Sequence, residues 1–155
     1  MYTWDVGSVA KGAGMTEISS IKVNLETGDK SGAGTDGDVY LGFAAREFFL
    51  QTSGDDYERG SSISYVFGEG ANVLNAESND PRTMRVQVEA VNDFPVYIRF
   101  APEKRDDRWL LQRAVVTVND NLFPMWDTLD VLDVKEGIWM GIRSTLFLHF
   151  PEHAD

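Results

Sequence analysis

The chain has 155 residues, 43% of them apolar, which is enough for one domain with a real hydrophobic core. Its 25 acidic and 14 basic residues leave a formal charge of −11, so nucleic acid is a poor partner: phosphate binding needs a basic patch. The absence of cysteine excludes disulfides, thiolate metal sites and cysteine nucleophiles, and the 2 histidines, His149 and His153, leave little from which to build a catalytic dyad or zinc site.

Residues 1–17, with Gly7, Gly12 and Gly14, read as a flexible lead ahead of a domain over 18–155. The opening Met1-Tyr2-Thr3-Trp4-Asp5 lacks the basic residues and apolar stretch of a signal peptide. No apolar run approaches the roughly 18–20 residues that cross a bilayer. Cytoplasmic and membrane-peripheral locations are both compatible with this. Residues 19–27 alternate apolar and polar at Ile21, Val23 and Leu25, the pattern of a half-buried strand. A glycine-rich turn follows over 28–34, then strands over 38–44 and 46–51, a polar loop over 52–61, and alternation again over 62–67. Residues 68–82 read as a long loop. Met84, Val86, Val88 and Ala90 alternate once more, and 94–100 reads as a strand before a charged loop over 102–108.

Residues 109–119 are apolar and β-branched towards their end. The spacing over 106–115 also fits a helical turn, but Val115, Val116 and Val118 favour a strand. Two further strand candidates cover 128–134 and 138–150. Short strands separated by turn signals predict an all-β antiparallel sandwich.

Four segments in order carry a resemblance. The first runs Thr27-Gly28-Asp29-Lys30-Ser31-Gly32-Ala33-Gly34-Thr35-Asp36-Gly37-Asp38-Val39-Tyr40-Leu41. The second is Gly54-Asp55-Asp56-Tyr57-Glu58-Arg59-Gly60, and the third is Trp109-Leu110-Leu111 with Ala114-Val115-Val116-Thr117-Val118. The fourth is Phe123-Pro124-Met125-Trp126, with methionine where cysteine is common. Together they resemble the PLAT (lipoxygenase-homology) family over about residues 20–150. The stretch between the second and third is similar also to the membrane-binding C-terminal domain of clostridial phospholipase C toxins. The resemblance implies two four-stranded antiparallel sheets and docking on a lipid surface or a protein partner.

It also implies a calcium site. Calcium takes six to eight oxygen ligands, and loops at one end of a sandwich can supply them. By analogy, Asp56 and Glu58 are the leading side-chain ligands, with Asp55 beside them and Asp36 on the first loop. Gly34 and Thr35 offer backbone carbonyls, and Asp107 completes the site from a third loop. Gly32 stands where the toxins carry a further acidic ligand. The spacing is not that of an EF-hand. The same aspartates also read as ordinary turn residues, since Asp favours turns. Trp109 and Leu110 are the expected membrane or partner contact, with Phe48 in the Phe48-Phe49 pair as a second one. Trp126, Trp139 and Met140 are candidates for a protein contact.

Paired carboxylates can do glycosidase work. There is, however, no nucleophile elbow, phosphate loop or metal-ligand histidine pattern in the sequence. The sequence therefore predicts a non-catalytic, calcium-assisted binding module. The alternatives are a carbohydrate-binding module or a structural or adaptor component of a larger assembly. Oligomeric state is not legible.

Overall fold

A computed structural model describes residues 16–121, 124–130 and 136–151. Its strands are β1 (Ser20–Thr27), β2 (Asp38–Phe43), β3 (Arg46–Phe49), β4 (Ser62–Gly68), β5 (Tyr97–Ala101), β6 (Arg108–Val118), β7 (Met125–Asp127), β8 (Ile138–Gly141) and β9 (Phe147–His149). They form two antiparallel sheets, one of order β3-β2-β5-β9 and one in which β4-β1-β6 is extended by both β7 and β8. The expected four-plus-four arrangement is therefore four strands plus five. The reason is the length of β6: its 11 residues accommodate β8 along Arg108–Leu111 and β7 along Val115–Thr117 on the same edge.

The predicted alternation in β1 places Ile21, Val23 and Leu25 in the core, opposite Phe67, Tyr65 and Ile63 of β4. Val118, Val116 and Ala114 of β6 flank them on the other side. Val39, Leu41 and Phe43 of β2, with Ile98 and Phe100 of β5, supply the facing layer, and all five are buried. The pleat sends alternate side chains to opposite faces, so each strand contributes half its residues to this layer. The β1–β6 register slips by one residue between Glu26 and Thr27. That bulge places Gln112, directly after Leu111, as the extra residue of β6.

Three expectations are corrected. The alternation at Met84–Ala90 is not a strand: Arg85 takes a positive φ of 53°, and a 3-10 turn begins at Val88. Its apolar spacing serves instead to bury Val86, while Glu17 and Gln87 form an isolated bridge. Thr128–Asp130 is a 3-10 turn, and residues 131–134 of that strand candidate lie outside the described residues. The 138–150 candidate is two strands joined by a tight turn, in which Ser144 N–H donates to the Gly141 carbonyl. Residues 106–115 are extended from Arg108 onward, so the helical option fails there. Residues 1–15 of the expected lead, Phe123 and His153 lie outside the described residues.

Candidate metal site

Three loops at one end of the sandwich are laced together by backbone hydrogen bonds. Residues 28–37 join β1 to β2, residues 50–61 join β3 to β4, and residues 102–107 join β5 to β6. Thr35 N–H donates to the Tyr57 carbonyl (3.0 Å), and Gly60 N–H donates to the Gly28 carbonyl (3.0 Å). Leu110 N–H donates to the Ala33 carbonyl (2.9 Å). The approach is too close for side chains. A Cβ on Gly34 would stand 2.8 Å from the Tyr57 carbonyl oxygen, and one on Gly37 would stand 2.7 Å from that of Ala101.

The acidic residues in these loops divide into two groups. Asp107 and Asp56 accept hydrogen bonds within the loops. Both Asp107 oxygens lie 2.8 Å from the Thr35 hydroxyl, and Oδ2 also accepts from Glu103 N–H (2.9 Å). The Thr35 hydroxyl in turn accepts from Gly37 N–H (2.9 Å), so Asp107 ties the third loop to the first. Asp56 is buried, its oxygens accepting from Thr52 N–H (2.7 Å) and the Thr52 hydroxyl (2.6 Å). Nothing in the sequence pattern marks Thr52 as its partner.

Tyr57 causes the division. At φ 65° it breaks the extended alternation, so Asp56 and Tyr57 are both buried while Asp55 and Glu58 face solvent. Its ring lies between Tyr65 and Trp109, and its hydroxyl donates to the Leu50 carbonyl. Burial pushes the Tyr57 and Tyr65 phenols up.

The outward group is Asp36, Asp55 and Glu58, one carboxylate oxygen from each lying within 4.8 Å of the others. Among the described residues none of the three is in an ion pair, and the neighbouring Arg59 pairs with Asp29 (2.9 Å) instead. Such a cluster repels itself by about 1 kcal/mol per pair even at the dielectric of water. A cation relieves this. Ligands on opposite sides of a calcium ion, each at about 2.3–2.6 Å, are at most about 5 Å apart, and the preferred donors are hard oxygens. The trio meets both conditions. Gly34, Thr35, Asp36, Glu58 and Asp107 line one groove of about 340 Å³ together with Glu103 and Lys104. The structure therefore brings Asp36, Asp55 and Glu58 together, keeps Gly34, Thr35 and Asp107 at the groove wall, and sets Asp56 apart.

The expected contact residues are corrected. Trp109 and Phe48 are fully buried, and Leu110 is 2% exposed. Trp109 donates its indole N–H to the Thr27 hydroxyl (2.9 Å) and packs against Tyr57 and Phe100. Leu110 is pressed onto Gly28, where a Cβ would stand 2.3 Å from its Cδ2. Phe48 faces Phe67 across the core at 5.3 Å. Large apolar side chains beside a loop cluster gain more from the core than from the tip. Trp126 is likewise core, edge-on to Phe43 at 5.2 Å, and Met140 is buried.

No family model and no curated protein matches the sequence. Solved structures do match. The alpha toxin of Clostridium absonum superposes with a TM-score of 0.59 at 16% identity, over 86% of this chain and 31% of the toxin chain. The alpha-toxin of Clostridium perfringens from an avian strain gives 0.56 at 16%, over 87% and 31%. The chain shares its β-sandwich fold with the matched part of these toxins. It spans about a third of the length of the toxins it matches. A LOX crystallised with arachidonate superposes at 0.48 and 15% identity over 84% of this chain and 16% of that one. No helix among the described residues is long and apolar enough to cross a membrane.

Proposed function

We propose that this PLAT-type domain is a non-catalytic module that docks on a lipid surface with the help of calcium held by Asp36, Asp55 and Glu58. The observation that carries this reading is the exposed carboxylate trio on two of the three clamped loops, in no ion pair among the described residues. The toxin likeness supports the fold on which such a site is built. Bound calcium would supply positive charge at an acidic corner and a bridge to lipid phosphate. The chain's own contribution is preorganisation: Gly34, Gly37, Thr35 and Asp107 hold the loops at the separation the trio needs. With a formal charge of −11, the protein is repelled by an anionic surface until that corner is neutralised.

The test is calorimetric titration of the chelator-treated protein with calcium, then vesicle co-sedimentation with and without the ion. Micromolar-range binding and calcium-dependent sedimentation are expected. No heat on calcium addition would sink the metal assignment.

A second occupant, a protein or a sugar, is favoured by the outer face of the four-stranded sheet. Phe147 is 44% exposed there, beside Tyr97 (5.5 Å) and His149 (6.1 Å). Glu47 joins Arg99 (2.8 Å) and the Tyr97 hydroxyl (2.7 Å) on the same face. Calcium binding without vesicle sedimentation would move the assignment to this face.

A further inference from the structure

We propose that a groove of arginines beside the acidic site binds the phosphate of an anionic phospholipid headgroup. The groove, of about 410 Å³, lies between the β5–β6 loop and the β8–β9 turn, lined by Arg105, Arg108, Arg143, Trp139 and Ile142. Asp106 and Asp107 also line it, and Asp107 is common to this groove and the one beside the carboxylate trio, so the two adjoin.

The charge is concentrated against the trend of the molecule. Four of the arginines, Arg59, Arg82, Arg99 and Arg113, are in ion pairs. Arg46, Arg85, Arg105, Arg108 and Arg143 are in none among the described residues, and the last three share this groove. Unpaired guanidiniums carry planar donor forks that match phosphate oxygens in pairs.

The groove is also preorganised. The Arg108 guanidinium stacks over the Trp139 ring at 4.2 Å, which holds its fork in place. Arg108 pairs with Gly141 across β6 and β8, and a Cβ there would stand 3.3 Å from that of Arg108, so glycine keeps this wall low. The turn that follows is closed by Gly141 N–H to the Thr145 carbonyl (2.9 Å) and the Ser144 hydroxyl to the Trp139 carbonyl (2.7 Å). It presents Ile142, 54% exposed, beside Arg143. An apolar tip next to unpaired arginines suits a lipid interface, where the tip enters the acyl boundary and the charges stay at the phosphates. This choice of a lipid, rather than a soluble phosphate, rests on the membrane reading above.

The test compares parent, R108Q/R143Q and the control R46Q/R85Q, which removes the same charge from unpaired arginines elsewhere. Each is sedimented in calcium with phosphatidylcholine vesicles, with and without phosphatidic acid, and titrated with calcium and with glycerol phosphate. The expected result is an about 10- to 30-fold loss of partitioning onto phosphatidic acid vesicles for R108Q/R143Q, at about a tenfold factor or less per arginine. The control and the calcium titrations should match the parent. R108K/R143K should recover part of the loss, because it restores charge without the fork. Equal partitioning of R108Q/R143Q and parent would overturn the proposal, as would an equal loss in the control. A parent that binds calcium and glycerol phosphate yet sediments with neither vesicle would overturn the lipid assignment and the membrane reading together. Loss of calcium binding in the parent, with the arginine effect intact, would overturn the metal assignment alone.

Discussion

Asp55, Asp56 and Glu58 are three acidic residues within four positions, yet their environments differ because Tyr57 takes φ 65° between them. Asp56 accepts two hydrogen bonds from Thr52 in a buried setting, so Asp56→Ala leaves the Thr52 N–H and the Thr52 hydroxyl hydrogen without their acceptor. A loss of about 1–3 kcal/mol in urea unfolding is expected, with calcium affinity affected only through the loop. Glu58→Ala and Asp36→Ala remove exposed, mutually repelling charges. Their unfolding free energy in chelator should stay within about 0.5 kcal/mol of the parent, while calcium affinity falls at least about tenfold. If Asp56→Ala weakened calcium binding more than Glu58→Ala at equal stability, the division between loop-bonded and outward carboxylates would be wrong.

At the level of elements, the loops and the β6–β7 pairing make separate predictions. Gly34→Ala forces a Cβ to 2.8 Å from the Tyr57 carbonyl oxygen and 3.1 Å from Arg59 N, both backbone atoms. The loops must part, with a cost of about 1–3 kcal/mol and a weaker response of the melting temperature to calcium. Asp127 tests the sheet edge. Burial pushes its carboxyl up, but hydrogen bonds from Arg113 and Leu129 N–H, with the charge of Arg113, outweigh this and hold it below the usual carboxylate range. A depressed folded pKa gives stability that is present in full above the unfolded value and is lost as pH falls through the folded one. Parent should therefore exceed Asp127→Asn by about 1–3 kcal/mol at neutral pH, and the gap should close below about pH 4. A gap that stayed constant from neutral pH down to about pH 3 would show that the pair is not what stabilises this edge.

For the molecule as a whole, Trp109 links the core to the loop end: it is fully buried, hydrogen-bonded to Thr27 and in contact with Tyr57 and Phe100. Trp109→Ala should cost about 3–5 kcal/mol in chemical unfolding. The fraction that remains folded should still sediment with vesicles, whereas Ile142→Asp should leave stability nearly unchanged and reduce sedimentation. The reverse pattern would restore Trp109 as the contact residue. The distinction rests on exposure, 0% for Trp109 against 54% for Ile142.

The order of strands and their core residues was legible because burial on one face imposes a period of two, as at Ile21, Val23 and Leu25. The same rule misread Met84–Ala90, where the apolar spacing is satisfied by a 3-10 turn and one bridge. The three acidic loops were recognisable from their residues, but which carboxylates face out was not, since that depends on the backbone sign at Tyr57 and on Thr52. Nor could the sequence bring Arg105 and Arg108 beside Arg143, which follows only from the pairing of β6 with β8. Local pattern thus determined which side of each strand is apolar. Tertiary structure decided which charged groups meet, because charges on distant segments become neighbours only when sheet register and loop closure set their separation.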